Sequence, residues 1–177
     1  MNTKQIVWYD KLIDTPLLNT LYVVASERGL VAIVFNLEET EFLEQIRSQA
    51  ACVPVYAPHR VAADASQLRE YLQGERTAFT LSLDLSMATM FRKQVLEEVR
   101  NVPFGKVTSY RDIAVRIGQP RAARAVGQSL ARNPLPVVIP CHRIIRTDGE
   151  LCGYSANGGI EIKRRLLHLE ITRLMDE

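Results

Sequence analysis

Of the three cysteines in this 177-residue chain, Cys141 stands beside a base, in the run Pro140-Cys141-His142-Arg143. A cysteine thiol with an ordinary pKa of about 8.5 is a weak nucleophile at neutral pH until a base or a positive field generates the thiolate. A neighbouring histidine can take that proton, and a carboxylate can hold the histidine in the right tautomer. Consecutive side chains of a strand point apart, so a turn or a bridging water must bring the Cys141 sulfur and the His142 ring into communication. On these residues alone the commoner reading of Cys141 prevails, a buried structural thiol beside a surface histidine. Cys52 and His59 make half of a metal site, with no second Cys or His pair at useful spacing. Cys152 lies close enough in sequence to be a redox partner of Cys141, or it fills a small apolar space. His168 reads as an ordinary helix residue.

The elements that must position Cys141 are mostly helical. Phe91, Val95, Val99 and Val102 recur at helical spacing, and Pro103-Phe104-Gly105 stops the helix. Ser109 suits the N-cap of YRDIAVRI, with Asp112 at the third position favouring the helix dipole. Gly118-Gln119 breaks that helix, and Pro120 suits the first position of the next, RAARAVGQSLAR, which runs to Asn133-Pro134. Two helices about a short Gly-containing turn make a helix-turn-helix pattern. On the second helix Arg121, Arg124 and Gln128 share one face, while Ala122, Val126 and Leu130 form another. The small Ala125 and Gly127 let such a helix pack closely on a neighbour or enter a nucleic-acid groove. LPVVIP reads as a short buried strand delivering Cys141. A Gly-rich loop (148–159) leads to a last helix carrying Ile162, Leu166 and Leu169. The run Lys163-Arg164-Arg165 reads as solvated, or as a complement to phosphates.

The first half reads as mixed α/β. LYVVAS (21–26) and LVAIVF (30–35) flank the turn Glu27-Arg28-Gly29 as a hairpin. Phe42, Leu43 and Ile46 mark one helix within 39–50. Leu68, Tyr71 and Leu72 mark another, which Gly74 ends. CVPVYAPH, interrupted by Pro54 and Pro58, reads as loop or edge structure. Phe79, Leu81, Leu83 and Leu85 alternate as in a half-buried strand. Apolar residues are 47% of the chain, enough for a real core, and charged residues are 24% and well mixed, which excludes wholesale disorder. No apolar run could span a bilayer, the N-terminus lacks signal-peptide features, and three cysteines suggest no disulfide framework; an intracellular protein is expected. Residues 1–85 hold 7 Lys/Arg against 11 Asp/Glu, a net −4, whereas residues 86–177 hold 15 against 9, a net +6. That asymmetry points to an anionic partner for the C-terminal part.

Together, FRKQVLEEVRNVPFGKVTSY, RAARAVGQSLARNPLPVVIPCHRII, GYS and KRRLLHLE resemble, in this order, the O6-alkylguanine-DNA alkyltransferases. The likeness is close from Thr89 to Glu170, and DTPLLNTLYVVASERGLVAIVF is similar in style to that family's variable α/β domain. The resemblance implies an α+β chain, with a ribonuclease H-like lobe at 1–85 of unclear role. Residues 86–177 would form a winged-helix, helix-turn-helix lobe that binds DNA and carries the transfer.

By the same resemblance, Cys141 would accept an alkyl group from O6 of guanine, or less readily O4 of thymine, and each molecule would act once, without cofactor or metal. His142 would deprotonate Cys141 through a water, Glu170 would orient His142, and Asn133 would brace the turn. Tyr110 would donate a proton to N3 of the leaving base. Gly153, Tyr154 and Ser155 would shape the pocket, with the Ser155 N–H at O6 and the Cys141 and Ile144 carbonyls accepting from the exocyclic amine. Arg124 would fill the space left by a flipped nucleotide, because an alkyl carbon inside the base stack is beyond in-line attack. Ala123 and Gly127 would admit the helix to a groove. Thr147 and Gly149 would approach phosphate; beyond the resemblance, the charges of Arg121 and Arg132 suit them as further phosphate contacts. The expected partner is double-stranded DNA carrying O6-alkylguanine, bound by a monomer of the cytoplasm, or of the nucleus in a eukaryote, with no membrane. The chain departs from the family pattern at Ala156-Asn157, which lengthen the loop after Tyr154-Ser155; the longer loop is expected to admit bulkier adducts. Two rivals remain: a Cys-His hydrolase, which would turn over repeatedly, and a damage sensor that binds without transfer, a kind of relative that replaces the cysteine.

Overall fold

The computed structural model describes residues 5–13, 15, 17–49, 52–154, 156 and 158–175. Its contacts divide the chain into two compact units, Met1–Met87 and Ala88–Glu177.

In the first unit, strands β1 (Gln5–Ile13), β2 (Thr20–Ser26), β3 (Gly29–Phe35) and β4 (Cys52–Tyr56) form one sheet in the order β3-β2-β1-β4. β1, β2 and β3 run antiparallel in turn and β4 lies parallel to β1. The expected hairpin is β2–β3. Its Gly29 has φ +130°, and a Cβ there would fall 2.4 Å from the Ser82 carbonyl oxygen, so only glycine fits. Helix α1 (Glu39–Gln49) covers the face made by Val7, Tyr9, Tyr22, Val24 and Val34, where the Tyr22 and Phe42 rings stack with centroids 4.0 Å apart. Helix α2 (Pro58–Leu72) packs on β1 and β2 through Val61, Ala65 and Leu68. Pro58 opens this helix, and Pro54 sits in edge strand β4, where a missing N–H is tolerated. The sequence pattern did not mark β1, whose alternation Asp10 and Lys11 interrupt.

The alternation of Phe79, Leu81, Leu83 and Leu85 does not produce a strand: only a single bridge, Leu83 to Leu30, forms, and of the four only Leu81 is buried. Asp84 takes an inward position instead, accepting from Ser26 Oγ at 2.7 Å and Arg28 Nε at 3.1 Å. Burial would raise this carboxyl, but donors from Ser86, Ser26 and Arg28 hold it at about 2.

The second unit comprises α3 (Met90–Arg100), β5 (Thr108–Ser109), α4 (Tyr110–Arg116), α5 (Ala123–Leu130), a one-turn 3-10 helix (Cys141–Arg143), β6 (Ile144–Ile145) and α6 (Gly159–Met175). β5 and β6 pair in parallel, Thr108 with Ile144 and Ser109 with Ile145. Ser109 caps α4 as expected: its Oγ accepts from Asp112 N at 3.1 Å while Asp112 Oδ2 accepts from Ser109 N at 3.2 Å. On α5, Val126 and Leu130 are buried and Arg124 and Gln128 are exposed, so these two faces separate as read, whereas Arg121 (exposed) and Ala122 (half-buried) precede the helix.

Two boundaries differ from the sequence reading. Pro120 does not begin α5; it lies in a turn closed by Ala122 N donating to Gln119 O at 2.8 Å, and the helix starts at Ala123. LPVVIP is not a strand of a sheet. It is a buried turn in which Ile139 N donates to Leu135 O at 2.8 Å and Val137 adopts φ +78°. Pro136 and Pro140 each lack the N–H that a ladder needs, so an apolar run bounded by prolines folds on itself. A β-branched residue in the left-handed region is strained by about 1–2 kcal/mol, which the complete burial of its surroundings sustains. No helix among the described residues is long and apolar enough to cross a membrane.

Replacing Ser109 by alanine removes the Oγ that accepts from Asp112 N and donates to the Asp112 carboxylate, leaving only the Ser109 N–H to Asp112 bond of the cap joining β5 to α4. Urea denaturation followed by far-UV circular dichroism is expected to show a loss of about 1 kcal/mol, the usual cost of an N-cap. An unchanged midpoint would remove the capping box from the stability of this unit.

Candidate active site

Cys141 is delivered by the 3-10 turn and is buried, yet its side chain reaches a cavity of about 530 Å³. That volume lies within the roughly 300–1,000 Å³ of small-ligand sites. Tyr110, Cys152, Gly153 and Tyr154 line it with Cys141, and α5 contributes Ala123, Arg124 and Gly127. The turn is braced from one side chain. Asn133 donates from Nδ2 to the Ile139 carbonyl at 3.0 Å and to Cys141 Sγ at 3.1 Å, and its Oδ1 accepts from Leu135 N at 3.0 Å. Burial pushes the Cys141 thiol up, offset only in part by the Asn133 amide and the charge of Lys163. At rest the sulfur is therefore protonated, and a base must act on it.

That base is next in the chain. His142 is fully buried, with Nε2 2.7 Å from Glu170 Oε1. Glu170 also accepts from Gly105 N at 2.8 Å, from Arg143 Nε at 3.0 and 3.1 Å, and from Arg143 Nη2 at 2.9 Å. Arg143 Nη1 donates to the Val102 carbonyl at 2.6 Å. Burial alone would raise the Glu170 carboxyl, but the donors from His142 and Arg143 outweigh it and hold it at about 2. A carboxylate can only accept, so the His142 proton resides on Nε2 and Nδ1 is the basic nitrogen. Burial pulls the His142 pKa below its ordinary value, and the positive charges of Arg143 and Lys163 add to this against the pull of Glu170. Arg143 thus shares the carboxylate charge and keeps the imidazole neutral, the form in which it can accept a proton.

Lys163 is neither solvated nor at hand for phosphates, contrary to the reading of the run Lys163-Arg164-Arg165, because it is fully buried. Its ammonium donates to the Ile144 carbonyl and, at 3.2 Å, to the Cys152 carbonyl, while Arg164 and Arg165 pair on the surface with Glu161. Burial lowers its pKa. Cys152 is likewise more than an apolar filler: its thiol is half-buried in the cavity wall, 3.7 Å from the Tyr110 hydroxyl. Cys52 is buried in the sheet core and His59 is exposed, so these two do not meet as a site.

Among the sequence-derived candidates, Tyr110, Ala123, Arg124, Gly127, Cys141, Gly153 and Tyr154 gather at the cavity, with Asn133, His142 and Glu170 behind the cysteine. Ile144 is buried in β6. Arg121, Arg132, Thr147 and Gly149 are exposed and outside the cavity lining. Ser155 and Asn157 lie outside the described residues. Arg143, Lys163 and Gly105 escaped sequence reasoning, although one signal was available. Lys163, Leu166 and Glu170 stand at i, i+3 and i+7 and therefore share the buried stripe of α6.

Arg143→Met is expected to destabilise the chain by about 3–5 kcal/mol, the usual cost of leaving one partner of a buried pair uncompensated. A group with a depressed folded pKa stabilises above its unfolded value, here the ordinary 4.5 of a glutamate, and loses that contribution as pH falls toward 2. The wild-type chain should therefore resist acid unfolding further than Arg143→Met, in which Glu170 titrates nearer its ordinary value. Coincident acid-unfolding curves, measured by circular dichroism, would show that Arg143 does not set this pKa.

Both units have counterparts among known proteins. Residues 90–172 match the family model described as 6-O-methylguanine DNA methyltransferase, DNA binding domain, and residues 8–85 match its ribonuclease-like domain. A methylated-DNA–protein-cysteine methyltransferase of Methanosarcina barkeri is 44% identical over 168 residues, covering 95% of this chain and 99% of that protein. The crystal structure of Mycobacterium tuberculosis OGT in complex with DNA is 32% identical and superposes with a TM-score of 0.76 over 94% of each chain. The crystal structure of Mycobacterium tuberculosis O6-methylguanine methyltransferase is 35% identical with a TM-score of 0.75, again over 94% of each. With both units matched and the α+β architecture shared, the chain belongs to the 6-O-methylguanine DNA methyltransferase family.

Proposed function

We propose that this protein repairs DNA by moving an alkyl group from O6 of a damaged guanine to Cys141, once per molecule. The observation that carries this reading is the sulfur at the cavity wall, held by Asn133 at 3.1 Å, with the His142–Glu170 pair at 2.7 Å immediately following. In the transfer the thiol proton passes through water to His142 Nδ1 and the Cys141 Sγ–carbon bond forms. The carbon–O6 bond breaks, and its electron pair stays on the base. Tyr110 lines the cavity and offers its hydroxyl to N3 of that base, so guanine leaves neutral. Burial pushes the Tyr110 pKa up, so the hydroxyl stays protonated until the base draws on it. The product is a thioether, which does not leave under mild conditions, so repeated turnover is not expected.

Access to the cavity requires the nucleotide to leave the duplex, because an alkyl carbon inside the base stack is beyond in-line attack by the Cys141 sulfur. Arg124, exposed on α5 at the mouth of the cavity, is placed to occupy the vacated stack. Ala123 and Gly127 keep that helix face low enough to approach the minor groove, whose degenerate code leaves lesion recognition to the cavity. The exposed Arg121, Arg132, Thr147 and Gly149 contact phosphates. The Cys141 and Ile144 carbonyls accept from the exocyclic amine, and Gly153, Tyr154 and Ser155 enclose the base. The C-terminal unit supplies DNA binding and transfer, and a monomer suffices.

Intact-protein mass spectrometry after incubation with a duplex carrying O6-methylguanine, followed by peptide mapping, tests the reading. One added methyl on Cys141, saturating at one per protein, is expected, and Cys141→Ala should bind the duplex without gaining mass. Continued mass gain in Cys141→Ala would remove Cys141 from its role. Arg124→Ala should slow reaction with duplex DNA more than with a free O6-alkylguanine base; equal losses on both would count against stack replacement.

A further inference from the structure

Cys152 occupies a place in the cavity that the transfer as described does not use. Its thiol lies 3.7 Å from Tyr110 Oη, within reach of a sulfur donor, and both residues line the cavity that holds Cys141. The position is not left to loop motion, because the Cys152 carbonyl is anchored at 3.2 Å by the buried Lys163 ammonium, which also holds the Ile144 carbonyl beside the 3-10 turn. A phenol has one hydrogen to give and two lone pairs to offer. When a thiol hydrogen takes one lone pair, the phenol hydrogen must point elsewhere, and among the described residues no acceptor receives it from Tyr110. The remaining direction is the cavity.

We propose that Cys152 is a positioning residue for the transfer: its S–H donates to Tyr110 Oη and so aims the Tyr110 O–H at the leaving base. This rests on the reading of Tyr110 as the donor to that base. Orientation of this kind removes a choice the hydroxyl would otherwise have. A phenol that instead gave its hydrogen to the sulfur would have to break that bond before it could serve the base. The two arrangements predict opposite effects of removing the thiol. With the thiol as donor, its loss slows transfer; with the phenol as donor to sulfur, its loss leaves the rate unchanged or raises it.

The test is a double-mutant cycle on the full chain, reading the single-turnover rate of methyl transfer at saturating O6-methylguanine duplex alongside the duplex Kd. Cys152→Ala is expected to slow transfer about two- to tenfold, the rate equivalent of one ordinary hydrogen bond, with Kd unchanged. Cys152→Ser, which keeps a donor, should recover part of the loss. In a Tyr110→Phe background Cys152→Ala should have no further effect. Equal slowing in both backgrounds would assign Cys152 to packing alone, and an unchanged or faster Cys152→Ala chain would reverse the direction of the bond; either overturns the proposal. A Tyr110→Phe chain as fast as wild type would instead remove the donor role of Tyr110, and the inference with it. Failure of the wild-type chain to gain a methyl would fail the underlying reading of Cys141.

Discussion

The buried carboxylate of Glu170 fixes three parts of the second unit to one point. From α6 it reaches the His142 and Arg143 side chains of the 3-10 turn and the backbone N–H of Gly105 beyond α3, while Arg143 continues to the Val102 carbonyl. A charged carboxylate removed from water is costly unless its lone pairs are filled and its charge is balanced. Both conditions are met here by local donors. The arrangement is all-or-none in character, since withdrawing one donor leaves the rest facing an under-compensated charge.

Burial sets the protonation states that the chemistry starts from. It keeps His142 a neutral base rather than half of a fixed ion pair, with the charges of Arg143 and Lys163 helping against Glu170, and it keeps the Cys141 thiol protonated. The resting site thus holds a competent base beside an unreactive thiol. A preformed thiolate would be open to any electrophile or oxidant, whereas a thiol beside a neutral imidazole becomes nucleophilic only when a reacting carbon and a proton path are both in place. A protein that can react only once has reason to withhold its nucleophile in this way.

What the sequence disclosed follows the range of the interactions involved. The cap of α4 at Ser109 and Asp112, the β2–β3 hairpin and the apolar stripe of α3 depend on neighbours within a few residues, and all are readable from spacing. The segment before Cys141 was not, because an apolar run between prolines has the composition of a strand while its fold is decided by Asn133, which reaches forward to Ile139 and Cys141. Asp84 displaced an expected alternation by hydrogen bonds to residues 56 and 58 positions earlier in the chain. The buried cations are the instructive failure. Arg143 and Lys163 look like surface residues by type, and only the phase of α6 and the need to balance Glu170 reveal that they face inward.

The anchoring of two carbonyls by Lys163 bears on how such a site tolerates change. The ammonium holds the chain at Ile144 and again at Cys152, on either side of an exposed loop, and Tyr154 follows within two residues of the second anchor. The sequence between Tyr154 and Gly159, where α6 begins, follows that anchor. Residues inserted there would fall outside the clamped stretch, so the two carbonyls that Lys163 holds would keep their partner at any length. Evolution is therefore free to change the length of this junction while the clamp keeps the chain at Ile144 and Cys152 in register.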